Sequence, residues 1–212
     1  MGYVLYGDHR SGSAMVEMAL AEIGAEAELR PVRLERDAQR AEAYRRLNPM
    51  GRVPTLLLPD GTALTESLAI LLTLADRHPG AGLLPPPEQP GRARALRWMA
   101  LLASEIYPHV TRCDYPERFS ADPAHAPAIR ARAVEMAREV WAVVERHAAP
   151  SPFLLGERFS AADIGIAVMS RWMGGEAWMP AHCPRIEALA RAVAARPAAG
   201  AVWRRHFGPP PG

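Results

Sequence analysis

Two short stretches, Asn48-Pro49-Met50-Gly51-Arg52-Val53-Pro54-Thr55-Leu56 and Thr65-Glu66-Ser67, combine residue types that can hold a small peptide at both ends. Val53 stands just before Pro54 at the entrance of an apolar run, where it would offer main-chain groups to an extended ligand. Ser67 would open a helix, and a hydroxyl beside the N–H groups of a helix N-terminus makes a ready carboxylate site. A Pro-Asp-Gly turn at 59–61 lies between the two stretches and folds them back on each other. A third motif, Ser160-Ala161-Ala162-Asp163, has the spacing of a capping box with Asp in place of Glu. That spacing assigns Asp163 to folding rather than to catalysis.

Composition narrows the chemistry further. The chain has 212 residues, 49% of them hydrophobic, and a net charge of +2. This suffices for the core of one large or two small domains and carries no polyelectrolyte signature, so nucleic acid is not expected as a partner. All 25 basic residues are arginine, which removes Schiff-base and P-loop chemistry, since both need lysine. Cys113 and Cys183 stand far apart without a CxxC pair, and the seven histidines are scattered, so neither a disulfide framework nor a metal site is expected. No apolar run approaches the roughly 20 residues that span a bilayer, and no charged-then-apolar leader opens the chain. A soluble cytoplasmic protein is the expectation.

Periodicity places these motifs on elements. Residues 3–6 form a short apolar strand, and a loop at 7–12 leads into a helix over 14–23 that stops at Gly24. Leu29, Val32 and Leu34 lie in a second extended segment whose Pro31 marks an edge strand, because proline cannot donate to a central ladder. An arginine-rich helix follows over 38–47, then a hairpin of 55–58 with 62–64. A helix over 66–77 would turn Leu68, Leu71, Leu72 and Ala75 to one face. This β-α-β, α, β-β-α order, residues 1–78, is that of a thioredoxin-like domain. A linker at 79–91 carries Pro85-Pro86-Pro87. Beyond it, Leu96, Met99, Ala103, Ile106 and Val110, then Ile129, Ala133, Met136, Val140 and Val144, recur at helical spacing. The fold class is therefore α/β followed by an all-α domain over 92–212, with a mobile tail expected at 208–212.

The Val53-Pro54 and Glu66-Ser67 stretches resemble the glutathione-binding half of the glutathione S-transferase family. A second marker, Phe153-Leu154-Leu155-Gly156 followed by Phe159-Ser160-Ala161-Ala162-Asp163-Ile164, stands where this family opens a core helix of its C-terminal domain. The chain is similar to cytosolic, bacterial-type members with a serine in the active-site loop. The resemblance implies a cis Val53–Pro54 bond, with Val53 pairing with the cysteinyl main chain of glutathione. Glu66 and Ser67 would hold the γ-glutamyl ammonium and carboxylate, and Arg52 would reach the glycyl carboxylate. It also implies a two-fold homodimer, glutathione as co-substrate and no metal.

In this family the reactive group is the thiol of glutathione itself, held as thiolate. A free thiol has a pKa of about 8.5, which a helix N-terminus and a donated hydrogen bond both lower. The activating group is thus expected between the first strand and the first helix. The cysteine of the beta-like members falls on Gly12, which excludes cysteine chemistry there. The serine of the zeta- and delta-like members falls near Arg10 to Ser11, depending on loop length, which makes Ser11 the first choice; Ser13 and Tyr6 are the alternatives. Ser13 immediately precedes the apolar periodicity, where a serine also serves as a helix cap. The electrophile pocket would draw on Trp98, Met99, Leu102, Tyr107, Arg112 and Tyr115. The expected activity is attack of glutathione thiolate on small hydrophobic electrophiles. A glutathione-dependent reductase or peroxidase, or a non-catalytic scaffold or regulatory module, are the alternatives.

Overall fold

A computed structural model describes residues 2–209. Of the tail expected to be mobile, residues 210–212 lie outside the described residues. By its contacts the chain forms two units: residues up to Pro86 together with the segment from Val193 onward, and Pro87–Ala192.

The first unit is built on a four-stranded sheet ordered β2-β1-β3-β4. The strands are β1 (Tyr3–Gly7), β2 (Ala27–Pro31), β3 (Thr55–Leu57) and β4 (Ala63–Thr65). β1 and β2 run parallel, while β3 runs antiparallel to both β1 and β4. Pro31 closes β2 at the sheet edge, where its missing N–H costs no ladder bond. Tyr6 pairs with Thr55, and Thr55 with Thr65. This register brings the loop leaving β1, the loop entering β3 and the loop leaving β4 to one end of the sheet.

Helices α1 (Ser13–Glu22) and α3 (Ser67–Arg77) pack against each other on one face. Tyr3 belongs to that face, since its hydroxyl meets Nε2 of His78, just past the end of α3, at 2.8 Å. Strand alternation sends Tyr6 to the opposite face. There its ring lies 6.0 Å from that of Tyr44 in α2 (Glu42–Arg45).

The helix expected over 38–47 is broken. Two 3-10 turns, Leu34–Arg36 and Ala38–Arg40, precede α2, which is a single turn. Asp37 is left-handed at φ 52° and Ala41 is extended, and each interrupts helical propagation. The tertiary cause is the loop at 48–52. Gly51, at φ 59°, lies so close to the Gln39 carbonyl that a Cβ there would sit 3.0 Å from it. Leu34 likewise lies in a 3-10 turn rather than in the second strand. In α3 the buried stripe is Ser67, Ile70, Leu71, Leu74 and Ala75, with Leu68 and Leu72 half-buried.

The last helix, α10 (Pro197–Phe207), groups by its contacts with this unit, packing on α1. Glu22 of α1 explains the docking. It takes a two-pronged ion pair from Arg196, at 2.9 and 2.7 Å, and accepts the Ala199 N–H in the first turn of α10 at 3.1 Å.

The second unit contains α4 (Pro90–Leu101), α5 (Tyr107–Asp114), α6 (Ala126–Ala148), α7 (Ala161–Met169), α8 (Gly175–His182) and most of α9 (Pro184–Ala194). A π-helical turn, Leu102–Ile106, joins α4 to α5 ahead of Pro108, which lacks the N–H an α-helix would use there. The buried face of α6 is Ala133, Ala137, Trp141, Val144 and Ala148; Met136, expected inside, is 37% exposed. Every residue of α7 is buried, and Ser160 with Asp163 closes the expected capping box at its start. No helix of the described residues is long and apolar enough to cross a membrane.

Candidate active site

The three loops at one end of the sheet carry the residues singled out in the sequence. The loop after β1 holds two serine hydroxyls in one compact cluster. Ser11 Oγ donates to the Asp8 carbonyl at 2.8 Å, and Ser13 Oγ donates to the same carbonyl at 3.0 Å. The two hydroxyl oxygens are 2.9 Å apart, and the Asp8 N–H reaches both, at 3.3 and 3.2 Å. Ser13 is the more enclosed. Its side chain lies against Gly7, where an added Cβ would come within 2.1 Å of Ser13 Cβ, so only glycine fits there. Ser11 is 9% exposed against 3% for Ser13. Ser13 is the first residue of α1 rather than its cap; Gly12 occupies the cap position.

Each hydroxyl owns one proton. Both protons go to the Asp8 carbonyl, whose two lone pairs accept them, and a ligand atom at the cluster would have to draw one of them away. Tyr6 is not brought to this cluster. Its hydroxyl, on the other face of the sheet, accepts from Arg30 Nη1 at 2.8 Å, and the Arg30 guanidinium lies 5.5 Å from its ring centre.

The loop entering β3 contains a cis peptide bond at Val53–Pro54. It is pinned from behind: the Arg52 carbonyl accepts the Tyr44 hydroxyl at 2.6 Å and Asn48 Nδ2 at 2.8 Å, and Tyr44 also reaches Thr55 Oγ1. The Arg52 side chain is exposed. The loop leaving β4 ends in Glu66, held at φ 65° and ψ 112° as the N-cap of α3, and in Ser67, which is 7% exposed. A non-glycine residue at positive φ costs of order 1–3 kcal/mol and collects at ligand-binding positions.

Two helix N-termini therefore start at this end of the sheet. Neither Gly12 nor Glu66 makes a side-chain cap bond, and neither α1 nor α3 has an acidic residue in its first turn. The first turns themselves thus carry no carboxylate, and a helix N-terminus favours anions.

The expected pocket residues divide in two. Trp98, Met99 and Leu102 are buried at 4, 4 and 3% exposure. Leu102 packs against Gly165 of α7, so these three serve as core rather than as a lining. Tyr107, Arg112 and Tyr115 remain half-buried. Tyr107 packs edge-on against Trp172, Arg112 lies over Phe119, and Arg118 lies over Tyr115.

Neither cysteine is an activated thiol: burial pushes Cys183 up to about 12 and raises Cys113 as well. Among the described residues no group of three or more His, Cys, Asp or Glu side chains is placed to hold a metal ion.

Three contributors to the site were missed from sequence. The Asp8 main chain organises both serines, while its carboxylate accepts the Leu34 N–H at 2.8 Å and anchors the loop. Glu17 and His206 lie behind the loop in contact with each other. A lone carboxylate inside an otherwise apolar helix such as 14–20 is itself a sign of a buried partner, and Glu17 was legible in that way. Nothing local marks His206.

Comparison with known proteins agrees with this architecture. Residues 12–77 match the glutathione S-transferase N-terminal domain and residues 127–207 match the glutathione S-transferase C-terminal domain. The chain belongs to the glutathione S-transferase family. It is 32% identical to glutathione S-transferase GstA of Escherichia coli O157:H7 over 66% of each chain. It is 31% identical to maleylacetoacetate isomerase of Pseudomonas aeruginosa over 92% of each. Among solved structures, a glutathione transferase homolog from Sulfitobacter, with bound glutathione, superposes with a TM-score of 0.88 at 29% identity, covering 95% of this chain and 96% of that one.

Proposed function

We propose that this family member binds glutathione at the shared end of the sheet and activates its thiol for attack on small electrophiles. The observation that carries the reading is the convergence of two helix N-termini on the Val53–Pro54 turn and the serine pair at one end of the sheet. A tripeptide with two carboxylates and a thiol matches that set of groups, and the Sulfitobacter relative holds glutathione.

In this reading Val53 offers its main chain to the cysteinyl unit. Ser67, at the N-terminus of α3, receives the γ-glutamyl carboxylate, and Glu66 faces the ammonium group. The exposed Arg52 takes the glycyl carboxylate. The thiol then lies by the N-terminus of α1, where Ser11 turns its proton outward to the sulfur while Ser13 keeps the Asp8 carbonyl satisfied. Both the hydrogen bond and the helix end favour the thiolate. Tyr107, Arg112 and Tyr115 remain the candidates for contact with the electrophile, and the active form is a homodimer.

A second reading comes from the likeness to maleylacetoacetate isomerase over nearly the whole chain. Reversible addition of the thiolate to a conjugated double bond, rotation and elimination would isomerise an unsaturated acid with the same activated thiol.

An ultraviolet titration of bound glutathione tests the activation common to both. The bound thiol is expected to ionise at least one pH unit below its free value of about 8.5. An unshifted pKa removes thiol activation, and absence of binding removes the function.

A further inference from the structure

The loop that carries Ser11 is held from behind by the end of α10. Arg10, a non-glycine residue at φ 58°, donates its main-chain N–H to His206 Nδ1 at 3.0 Å. The other nitrogen of that ring, Nε2, lies 2.8 Å from Glu17 Oε2 of α1. His206 is 7% exposed and Glu17 9%. Arg205 adds a second contact to the Glu17 carboxylate. Burial pushes the Glu17 carboxyl up, but the hydrogen bonds from His206 and Arg205 outweigh it and hold the carboxyl below its ordinary value. The rest of the loop leans on the same turn. The His9 ring stacks on His206 at 5.4 Å, and its Nε2–H donates to the Arg205 carbonyl at 2.9 Å. The Arg10 guanidinium lies over Phe207.

The donors decide the proton positions. A main-chain N–H can only donate, so His206 Nδ1 must accept, and the ring proton must sit on Nε2, facing the carboxylate. Glu17 therefore fixes the tautomer, as a carboxylate does behind a metal-bound or catalytic histidine. The fixed tautomer in turn holds Arg10 in a left-handed conformation that a non-glycine residue adopts only at a cost. Arg10 directly precedes Ser11, so its backbone angles set the direction in which the chain enters Ser11.

We infer that His206 is a positioning residue of the thiol-activating loop: its Nδ1 locks the Arg10 main chain, and Glu17 supplies the tautomer that lets it do so. This inference rests on the function proposed above. It assigns to the last turn of α10 a role in the reaction beyond packing.

Two substitutions split the ring into its halves. His206→Asn keeps an acceptor near Nδ1 and loses the reach to Glu17; His206→Gln keeps a donor to Glu17 and loses the acceptor for Arg10. The readouts are the bound-thiol pKa, the Kd for glutathione, kcat with an activated aryl halide, and the hydrogen-exchange rate of the Arg10 amide. His206→Gln is expected to raise the bound-thiol pKa by about one unit and lower kcat about tenfold, with Kd nearly unchanged. The same variant should speed exchange at Arg10. His206→Asn should keep pKa, kcat and exchange near those of the wild type even where its melting temperature falls. The reverse ranking, or losses that follow melting temperature in both variants, makes His206 merely a packing residue and overturns the inference. Glutathione binding and a lowered thiol pKa in the wild type isolate such a failure from the proposed function; a wild type that does not bind glutathione removes both.

Discussion

The starts of α7 and of α1 and α3 solve the same electrostatic problem in opposite ways. A helix N-terminus leaves donors that need partners. At α7 the chain supplies them itself: the Asp163 carboxylate accepts the Ser160 N–H and hydroxyl at 2.7 and 2.8 Å and the Leu154 N–H at 2.7 Å, all buried. At α1 and α3 the cap positions are Gly12 and Glu66, neither of which caps with its side chain, and a left-handed residue precedes or occupies each cap. A self-satisfied helix end is architecture. A helix end whose cap residue makes no side-chain bond, with positive-φ residues in the loop before it, is where we place binding.

The largest test of this contrast is Asp163→Ala. It strips three buried donors of their acceptor, and chemical denaturation should show a loss of about 3–5 kcal/mol. Glutathione affinity of the remaining folded protein should not change. A change in affinity of tenfold or more would join α7 to the site and break the contrast.

The same carboxyl gives a pH signature of nearly that size. Burial outweighs its hydrogen bonds and raises it from 3.8 to about 6 in the folded chain. A raised folded pKa means that the folded state holds the proton more tightly, so this contribution is full below 3.8 and is lost as the pH rises through about 6. It amounts to about 3 kcal/mol. Unfolding free energies measured across that window should fall for the wild type relative to Asp163→Asn, in which the slope disappears. Parallel curves would show that the carboxyl is ionised throughout.

Ser67→Ala should do the converse of Asp163→Ala. Calorimetry should show glutathione binding weakened about 10- to 100-fold, a larger effect than the variant's loss of stability. A stable variant with wild-type affinity would mean that the γ-glutamyl end has been misplaced.

The smallest effect separates the two serines. Ser11→Ala should raise the bound-thiol pKa by about one unit with little change in stability. Ser13→Ala should mainly cost stability, since its side chain fills the space against Gly7. If the pKa moves with Ser13 instead, the outward proton belongs to Ser13.

Much of this was legible in the chain because it was local. Pro31 marked an edge, Gly24 an end, and Ser160-Ala161-Ala162-Asp163 a cap, each through contacts within a few residues. The errors share the opposite origin. The helix expected over 38–47 had suitable composition, but the 48–52 loop presses Gly51 against the Gln39 carbonyl and bends the segment. Tyr6 stood at the right place in sequence, yet strand alternation turns its hydroxyl to Arg30. Trp98, Met99 and Leu102 had the aromatic and apolar character of a pocket, and the same character made them core.

By itself the sequence determined the order of elements, the family and the short motifs, because turn chemistry, periodicity and capping act over one or two helical turns. Tertiary structure alone decided that α10 returns to α1, and that Glu17 and His206 meet behind the loop. No local pattern couples residues 189 positions apart. Only the packing of the two helices, with Glu22 seated at the start of α10 and Glu17 near its end, brings a carboxylate, an imidazole and the Arg10 amide into one line.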